Sequence, residues 1–225
     1  PEMLREIART YAKAETATIL WGMGVCQFRQ GVETVRALAS LAMLTGNLGK
    51  PNVGVNPVRG QNNVQGACDM GALFNTLPGY QSFADPETNA KFAKAWGVPS
   101  IPTKPGVPLS EVPEAIMEDK IKAFYIMGED TLQTEPDINA VKKAFEKVEL
   151  LIVQDIFMTQ TAAEADILLP ATSCAEHEGV YSAADRGFQR FYKAVEPTGN
   201  VKDDWVIISA VSYTHLRAHE TRRHL

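Results

Sequence analysis

The sequence predicts an α/β protein built on parallel sheets. Three short apolar runs occupy residues 122–127, 149–153 and 166–169, and a helical pattern and a short polar turn separate them. Strands that alternate with helices at this spacing form parallel sheets with right-handed crossovers. Glycine or polar residues directly follow the first two runs, at the carboxyl ends where open α/β sheets bind ligands. The order of the elements therefore predicts both the fold class and the sheet edge that carries a site.

The composition excludes several classes of protein. The chain has 225 residues, of which 45% are hydrophobic, and this is enough for one large or two small domains. The net charge is −5, whereas a nucleic-acid surface needs clustered Lys and Arg, so no nucleic acid is expected as a partner. No apolar run reaches the roughly 18 residues of a membrane span, and the first residues do not resemble a signal peptide. We expect no direct membrane insertion. The start of the sequence says little about the compartment, for which the cytoplasm is the expectation.

The cysteines do not form a local metal site. Cys26, Cys68 and Cys174 lie far apart, and none belongs to a C-x-x-C pair. Their spacing is not that of a disulfide framework or of a zinc or iron–sulfur site within one segment. We expect three free thiols, buried or partly buried, and no metal ligand among them.

The first part of the chain predicts two helices and a strand around a glycine turn. Residues 2–14 have the apolar spacing of a helix, and residues 17–21 form a short apolar run that predicts a strand. This strand ends at Gly22-Met23-Gly24. A second helix is predicted from residue 32 to residue 44, with Gly46 just past its end.

A polar segment follows that is too long for an ordinary connection. Residues 49–79 are rich in glycine, asparagine and glutamine, and Arg59 is their one arginine. Long loops of this kind in compact domains usually carry function. Residues 85–113, with a helix predicted at 89–96 and six prolines, are expected to form a surface excursion.

The clearest elements lie in the middle of the chain. The strand at 122–127 runs into Gly128-Glu129-Asp130, and Thr134 is predicted to be the N-cap of the next helix. The strand at 149–153 ends at Gln154-Asp155 and precedes a short helical turn at 159–163. The segment therefore predicts strand, helix, strand, helix and strand in succession.

Three predicted strand ends carry residues that suit a nucleotide-like ligand. Carboxylates at such places suit the edge of a guanine or a ribose, and glycines allow a pyrophosphate to approach. The chain lacks the G-x-G-x-x-G and P-loop patterns that would make this assignment specific. We expect the strand ends at Gly22, Gly128 and Gln154 to open onto polar crevices of one parallel sheet.

Several stretches of the sequence resemble one enzyme family. They are residues 54–71, which include the string Val-Arg-Gly-Gln-Asn-Asn at 58–63, and residues 125–130, 153–159, 176–180 and 185–190. These stretches resemble the formate dehydrogenases that hold a bis(molybdopterin guanine dinucleotide) metal centre, and the resemblance spans almost all of residues 1–209. It implies the parallel-sheet, Rossmann-like domains of the molybdopterin oxidoreductase fold, present here in part.

The resemblance also implies cofactors and partners. The bis(molybdopterin guanine dinucleotide) would carry Mo or W, and a 4Fe-4S cluster would have its ligands outside this sequence. Formate would be oxidised to carbon dioxide at the metal, and two electrons would pass through the cluster to an electron-transfer iron–sulfur protein or to hydrogenase subunits. The alternatives are another molybdopterin oxidoreductase, such as a nitrate reductase, and an inactive nucleotide-binding α/β module. The string at 58–63 favours formate.

Arg59 is the one residue to which the resemblance assigns a catalytic role. A guanidinium can hold a carboxylate such as formate through two charge-assisted hydrogen bonds. On composition alone, an arginine that bonds loop carbonyls is the favoured interpretation. The other residues that are implied or expected to contact the cofactor are Gly22, Met23, Gln27, Gln61, Gly128, Asp130, Thr134, Gln154, Asp155 and Asp204.

Several of these residues also have a purely structural interpretation. Gln61 could bond the backbone of its own loop, as side-chain amides commonly do. Met23 could belong to the core, Thr134 could act only as an N-cap, and Asp204 could be a solvated surface acid. The Glu-His-Glu string around His177 suggests metal ligation, but neighbouring residues point to opposite sides of an extended chain, and we expect a structural role or a place along the path near the iron–sulfur cluster.

The sequence divides into four predicted segments. Residues 1–61 and 62–173 are expected to form two α/β cofactor-binding domains, the first of which includes the arginine loop. Residues 174–210 are expected to begin a return to the iron–sulfur domain. Residues 211–225 resemble translated adaptor DNA, hold three of the four histidines and are expected to make few contacts with the body. A genuine basic tail that binds an anionic partner is the alternative.

Overall fold

The computed structural model describes residues 2–183, 185 and 187–215, with side chains up to residue 213. The chain divides into two units after Gln65, and helix α4, Val64–Asp69, includes that point. Each unit contains a parallel sheet. The predicted α/β class is confirmed.

The first unit contains a two-stranded parallel sheet. Its elements are α1 (Glu2–Lys13), β1 (Thr18–Trp21), α2 (Met23–Cys26), α3 (Gly31–Leu44) and β2 (Gly54–Pro57). Thr18 pairs with Gly54 and Trp21 pairs with Pro57. Residues 54–57 were predicted to belong to a loop that begins at residue 49, and this is wrong because they form strand β2. Its Gly-Val-Asn-Pro sequence has no apolar alternation, so only the pairing with β1 identifies it as a strand.

A buried amide joins the end of α3 to the start of β1. Asn47 has no exposed surface. Its Oδ1 accepts a hydrogen bond from the Ala17 N–H at 3.0 Å, and its Nδ2 donates to the Thr45 hydroxyl at 3.1 Å. Gly46, with φ of +69°, takes the left-handed conformation that commonly ends a helix, as its position predicted.

The second unit contains a three-stranded parallel sheet in the order β3-β4-β5. Its elements up to that sheet's last strand are α5 (Pro86–Trp96), α6 (Val112–Met117), β3 (Ala123–Met127), α7 (Thr131–Thr134), α8 (Ile138–Lys147), β4 (Leu150–Asp155), α9 (Gln160–Ala163) and β5 (Ile167–Pro170). Ala123 pairs with Leu150, and Met127 pairs with Gln154. The predicted succession of strands and helices is confirmed.

Two apolar clusters hold the second unit together. The first lies between the sheet and α9 and consists of the buried residues Ile126, Leu151, Val153 and Ala162. The second joins α6 to α8 through Val112, Ile116 and Ala144. Phe124 and Val148 contact both clusters, so the sheet and the two helices form a continuous core.

The last described elements are a hairpin and a helix. Strands β6 (Gly179–Ser182) and β7 (Phe188–Phe191) pair antiparallel and were not predicted. Helix α10 (Asp204–His215) continues into the segment expected to be a tail, where Val211 is exposed and Tyr213 is half-buried. Residues 216–225 lie outside the described residues, so the division into four segments stays a prediction. No helix in the described part of the chain is long and apolar enough to cross a membrane.

The strand ends expected on one sheet are divided between two, so that expectation is wrong. Gly22 follows β1, whose partner is β2 in the first unit. Gly128 and Gln154 lie at the ends of β3 and β4 in the second unit. Strand pairing is a long-range property, and the spacing of the strands along the chain does not reveal it.

Helix α8 begins later than predicted, and Thr134 is not its N-cap. Thr134 is the last residue of α7, and Glu135 after it is extended, with φ of −75° and ψ of 143°. A residue that precedes a proline, here Pro136, is sterically excluded from the helical region. The N-cap is Asp137, whose Oδ1 accepts a hydrogen bond from the Ala140 N–H at 3.0 Å.

Replacing Asp137 with alanine should destabilise the second unit by about 1 kcal/mol, because α8 loses the acceptor at its first turn. Thr134→Ala removes a hydroxyl at the position predicted from sequence and should cost less, because it removes no N-cap. Chemical denaturation of both variants measures the two differences. A larger loss for Thr134→Ala would contradict the N-cap assigned to Asp137.

Leu151→Ala should destabilise the second unit by about 2–5 kcal/mol, because it leaves a cavity in the core between β4 and α9. Leu151 is 1% exposed. Leu109→Ala makes the same chemical change at a residue that is 52% exposed and should cost much less. The midpoints and slopes of urea unfolding curves give both values. Equal losses would show that Leu151 does not belong to the core.

Candidate functional site

The carboxyl edge of the first sheet brings together two segments that are far apart in sequence. Strand β1 ends at Trp21, and the Val58 N–H donates to the Trp21 carbonyl at 2.7 Å, directly after β2. The Gly22-Met23 turn and the Arg59-Gly60 turn therefore lie side by side at this edge. The pairing of β1 with β2 places the arginine loop next to the glycine turn.

Gly60 packs closely against Met23 at this edge. A Cβ added to Gly60 would lie 3.3 Å from both Sδ and Cε of Met23, so a larger residue would need a small shift of the flexible methionine side chain. Met23 itself is 46% exposed and does not belong to the core. The structural interpretation of Met23 as a core residue is therefore wrong.

Arg59 is exposed at the same edge. Its Nη2 donates to Oε1 of Gln65 at 3.2 Å. Gln65 lies in the first turn of α4, which holds one end of the guanidinium. Gln27 and Gln61 are also exposed, Gln27 as the residue that ends α2. The first unit therefore presents one cation and several amides around a glycine turn.

The carboxyl edge of the second sheet carries a second glycine turn. Gly128 follows β3 with φ of +64°, and its N–H donates to the Gln154 carbonyl at 2.8 Å. This left-handed conformation favours glycine. A Cβ at Gly128 would meet no atom within 4 Å, so the turn faces open space into which a ligand can come close.

The carboxylate of Asp130 connects the start of α7 to the start of α9. Its Oδ1 accepts hydrogen bonds from the Thr161 hydroxyl at 2.6 Å and from the Thr161 N–H at 3.0 Å. The Thr161 hydroxyl oxygen also accepts from the Leu132 N–H at 3.0 Å. Thr134 is exposed, and its hydroxyl donates to Glu129 at 2.5 Å. Asp130 therefore already supports α7 and α9.

Gln154 is fully buried, and both ends of its amide are hydrogen-bonded. The Tyr125 hydroxyl donates to its Oε1, and its Nε2 donates to Oδ1 of Asp204 at 2.5 Å. Burial, and next the negative charge of Asp204, raises the pKa of the Tyr125 hydroxyl above its ordinary value. Residues of β3, β4 and α10 thus form one polar chain.

Asp155 follows Gln154 and is 8% exposed. Its Oδ1 accepts hydrogen bonds from the N–H groups of Ile156 at 2.7 Å and Phe157 at 3.1 Å. Both bonds reach the same oxygen. The next three side chains are apolar and exposed, and Phe157 is 73% exposed. A fixed carboxylate bonded to the backbone of an exposed phenylalanine could offer an acceptor to the edge of a purine base.

No group of three His, Cys, Asp or Glu residues in the described ranges is arranged to hold a metal ion. Cys26 and Cys174 are exposed and Cys68 is buried, all as free thiols. Burial was expected for Cys26 and Cys174, and this expectation is wrong. Cys26 is the last residue of the short helix α2, and Cys174 lies in a turn after β5.

The Glu-His-Glu string separates as expected for a structural role. Nδ1 of His177 lies 2.8 Å from the Ser173 carbonyl oxygen, and its ring meets Phe191 edge-on. The Glu176 carboxylate accepts a hydrogen bond from the Ser173 N–H. Hydrogen bonding from Ser173 to this carboxylate lowers the pKa of Glu176. Glu178 pairs with Arg190 at 3.5 Å.

Two residues that the sequence did not suggest complete the second edge. Tyr125 bonds to a residue 29 positions away, and Thr161 bonds to one 31 positions away. Nothing local distinguishes Tyr125 from the many tyrosines that occupy strands for packing. Thr161 lies in the first turn of the short helix α9, where a threonine likewise gives no indication of a functional role.

Comparison with known proteins places the chain in a family. The model of the molybdopterin oxidoreductase family matches residues 2–214. Formate dehydrogenase H of Escherichia coli is 65% identical over 209 residues, which are 93% of this chain and 29% of that protein. The alpha subunit of F420-dependent formate dehydrogenase 1 of Methanococcus maripaludis is 46% identical over 214 residues, 94% of this chain and 31% of that protein.

The fold has a solved counterpart. Acetylene hydratase from Pelobacter acetylenicus superposes with a TM-score of 0.63 at 19% identity, over 94% of this chain and 32% of that structure, and this similarity concerns the fold alone. The chain spans less than a third of the length of each relative named here. With nearly all of its residues matched by the family model, the chain belongs to the molybdopterin oxidoreductase family.

Proposed function

We propose that this chain is part of the catalytic subunit of a formate dehydrogenase, and that the whole subunit oxidises formate to carbon dioxide. The observation that carries the proposal is the 65% identity to a formate dehydrogenase across almost the whole chain. The second relative, at 46% identity, also bears the name of a formate dehydrogenase. Because the chain spans only part of these proteins, the activity belongs to the longer protein.

Arg59 is assigned to formate. Arg59 is exposed at the edge that carries the Gly22 turn, and within the described residues its side chain donates one hydrogen bond, from Nη2 to Gln65. The remaining N–H groups can donate to the two oxygens of a carboxylate at once, which orients the C–H bond of formate. Formate then gives carbon dioxide, two electrons and one proton. The arginine binds and orients, and it takes neither the electrons nor the proton.

The second edge is assigned to the nucleotide part of a bis(molybdopterin guanine dinucleotide). The residues fit this group, because Gly128 faces open space and Asp155 is a fixed carboxylate beside the exposed Phe157 ring. Guanine presents two neighbouring N–H donors that a carboxylate can accept. Its ring can stack on an aromatic side chain. Met23, Gln27 and Gln61 are assigned to the cofactor at the first edge.

The metal centre supplies the redox chemistry, with Mo or W held by the pterin. The ligands of the 4Fe-4S cluster are assigned to residues beyond this chain. We expect the electrons to leave through that cluster to an electron-transfer iron–sulfur protein or to hydrogenase subunits. The cytoplasm remains the expected compartment.

Arg59→Lys in the full-length protein should lower kcat/KM for formate roughly ten- to a hundred-fold, because one charge-assisted hydrogen bond worth about 1.5–3 kcal/mol is lost. Lysine keeps the charge but not the planar fork. Steady-state kinetics measures the change, and metal and pterin content should stay at the parent level.

Arg36→Lys is the matched control, because Arg36 is an exposed arginine on α3 that pairs only over one turn with Glu33. It should leave turnover unchanged. Normal formate oxidation by Arg59→Lys, or a loss explained entirely by missing cofactor, would show that Arg59 does not bind formate. Nitrate reduction by the parent protein would instead favour another activity of the family.

Asp155→Asn should weaken binding of the guanine nucleotide about ten-fold or more, because a charged acceptor becomes a neutral amide. Asparagine retains Oδ1 for the N–H groups of Ile156 and Phe157, so the turn should persist. Guanine nucleotide released by acid, per mole of protein, measures occupancy. Asp185→Asn is the control, since Asp185 bonds the N–H two residues on, as Asp155 does, in an exposed turn. Full occupancy in Asp155→Asn would contradict the assignment.

A further inference from the structure

A polar chain of three side chains runs through the carboxyl edge of the second sheet. The Tyr125 hydroxyl contacts Oε1 of Gln154, and Nε2 of Gln154 contacts Oδ1 of Asp204 at 2.5 Å. The three residues come from β3, β4 and the first turn of α10. Gln154 has no exposed surface, so no ligand can reach its side chain without displacing one of the other two.

The chain has a fixed direction. A carboxylate can only accept, so the Gln154 atom that faces Asp204 is the amide nitrogen. The other end is then the carbonyl, and it accepts from the Tyr125 hydroxyl. If the amide turned over, its oxygen would face the carboxylate of Asp204 and its nitrogen would face the tyrosine oxygen. Asp204 therefore fixes the orientation of the amide, and the Tyr125 hydroxyl supplies the donor that the buried Oε1 of Gln154 needs.

We propose that Tyr125 is a positioning residue for the guanine dinucleotide, which acts through Gln154 to hold one oxygen of Asp204 and leaves the other for the ligand. This inference rests on the proposed function and on the family resemblance, which assigns Asp204 to the cofactor. Asp204 is exposed, and within the described residues its one side-chain hydrogen bond is at Oδ1. A carboxylate held at one oxygen accepts hydrogen bonds from a guanine edge or a ribose with less loss of side-chain freedom.

The backbone near Asp204 is placed by other contacts. Lys202 bridges to Ala171 after β5, with the Thr172 N–H donating to the Lys202 carbonyl at 3.1 Å. The Thr172 hydroxyl donates to Asp203 at 3.0 Å. The start of α10 is thus attached to β5 independently of Tyr125. Removal of the tyrosine hydroxyl therefore changes the orientation of the Asp204 side chain while the helix stays in place.

The test measures guanine nucleotide released by acid, per mole of full-length protein, together with the thermal midpoint. Tyr125→Phe and Asp204→Asn should each lower the nucleotide content roughly three-fold or more, since the first removes the donor to Gln154 Oε1 and the second replaces the charged acceptor offered to the ligand with a neutral amide. The double variant should lose no more than Asp204→Asn, because residues that act through one another are not additive. Gln154→Met, an apolar replacement of similar length, should match Tyr125→Phe.

Tyr192→Phe is the matched control, because Tyr192 is an exposed tyrosine in the same unit. It should keep full nucleotide content and the parent thermal midpoint, whereas the midpoint of Tyr125→Phe should fall because the buried Oε1 of Gln154 loses its donor. Full content in Tyr125→Phe with a loss in Asp204→Asn would overturn the role of Tyr125 and leave the proposed function intact. A double variant whose loss is the product of the single losses would also overturn it, because Tyr125 would then act independently of Asp204. Full content in both single variants and in Asp155→Asn would overturn the nucleotide site itself.

Discussion

The carboxyl edge of the second unit depends on the buried residue Gln154. Its backbone carbonyl accepts a hydrogen bond from the Gly128 N–H at 2.8 Å, and its side-chain amide is hydrogen-bonded to Tyr125 and Asp204. An amide in a dry interior is unfavourable unless its polar atoms have partners, so these contacts must form together. One residue thereby joins β3, β4 and the start of α10 at the edge where we place the nucleotide.

The two sheet edges hold their polar residues in different ways. In the first unit Arg59 is exposed and bonded through one Nη atom to Gln65, so other donors remain for a small anion. In the second unit the carboxylates of Asp130 and Asp155 are already hydrogen-bonded within the protein. An exposed cation suits capture of formate, whereas fixed carboxylates suit discrimination of a base. The contrast supports the division of roles that we propose.

The sequence predicted best where local pattern and tertiary environment agree. The core strands β3 and β4 are short apolar runs, and helix α8 carries a regular apolar stripe, so each was recognised from its own residues. The prediction failed where a neighbour decided the outcome. Strand β2 has no apolar alternation and depends on β1, and the extended residue before Pro136 moved the start of α8 to Ile138.

The sequence by itself determined the α/β class, the glycines and carboxylates at the strand ends, and the resemblance carried by the string around Arg59. These are properties of short segments. Only the tertiary structure decided that Gln154 is an internal link and that Asp130 supports α7 and α9. The partners of Gln154 lie 29 and 50 residues away, and the partner of Asp130 lies 31 residues away. Local propensity carries no information on such pairs, because the packing of separate elements creates them.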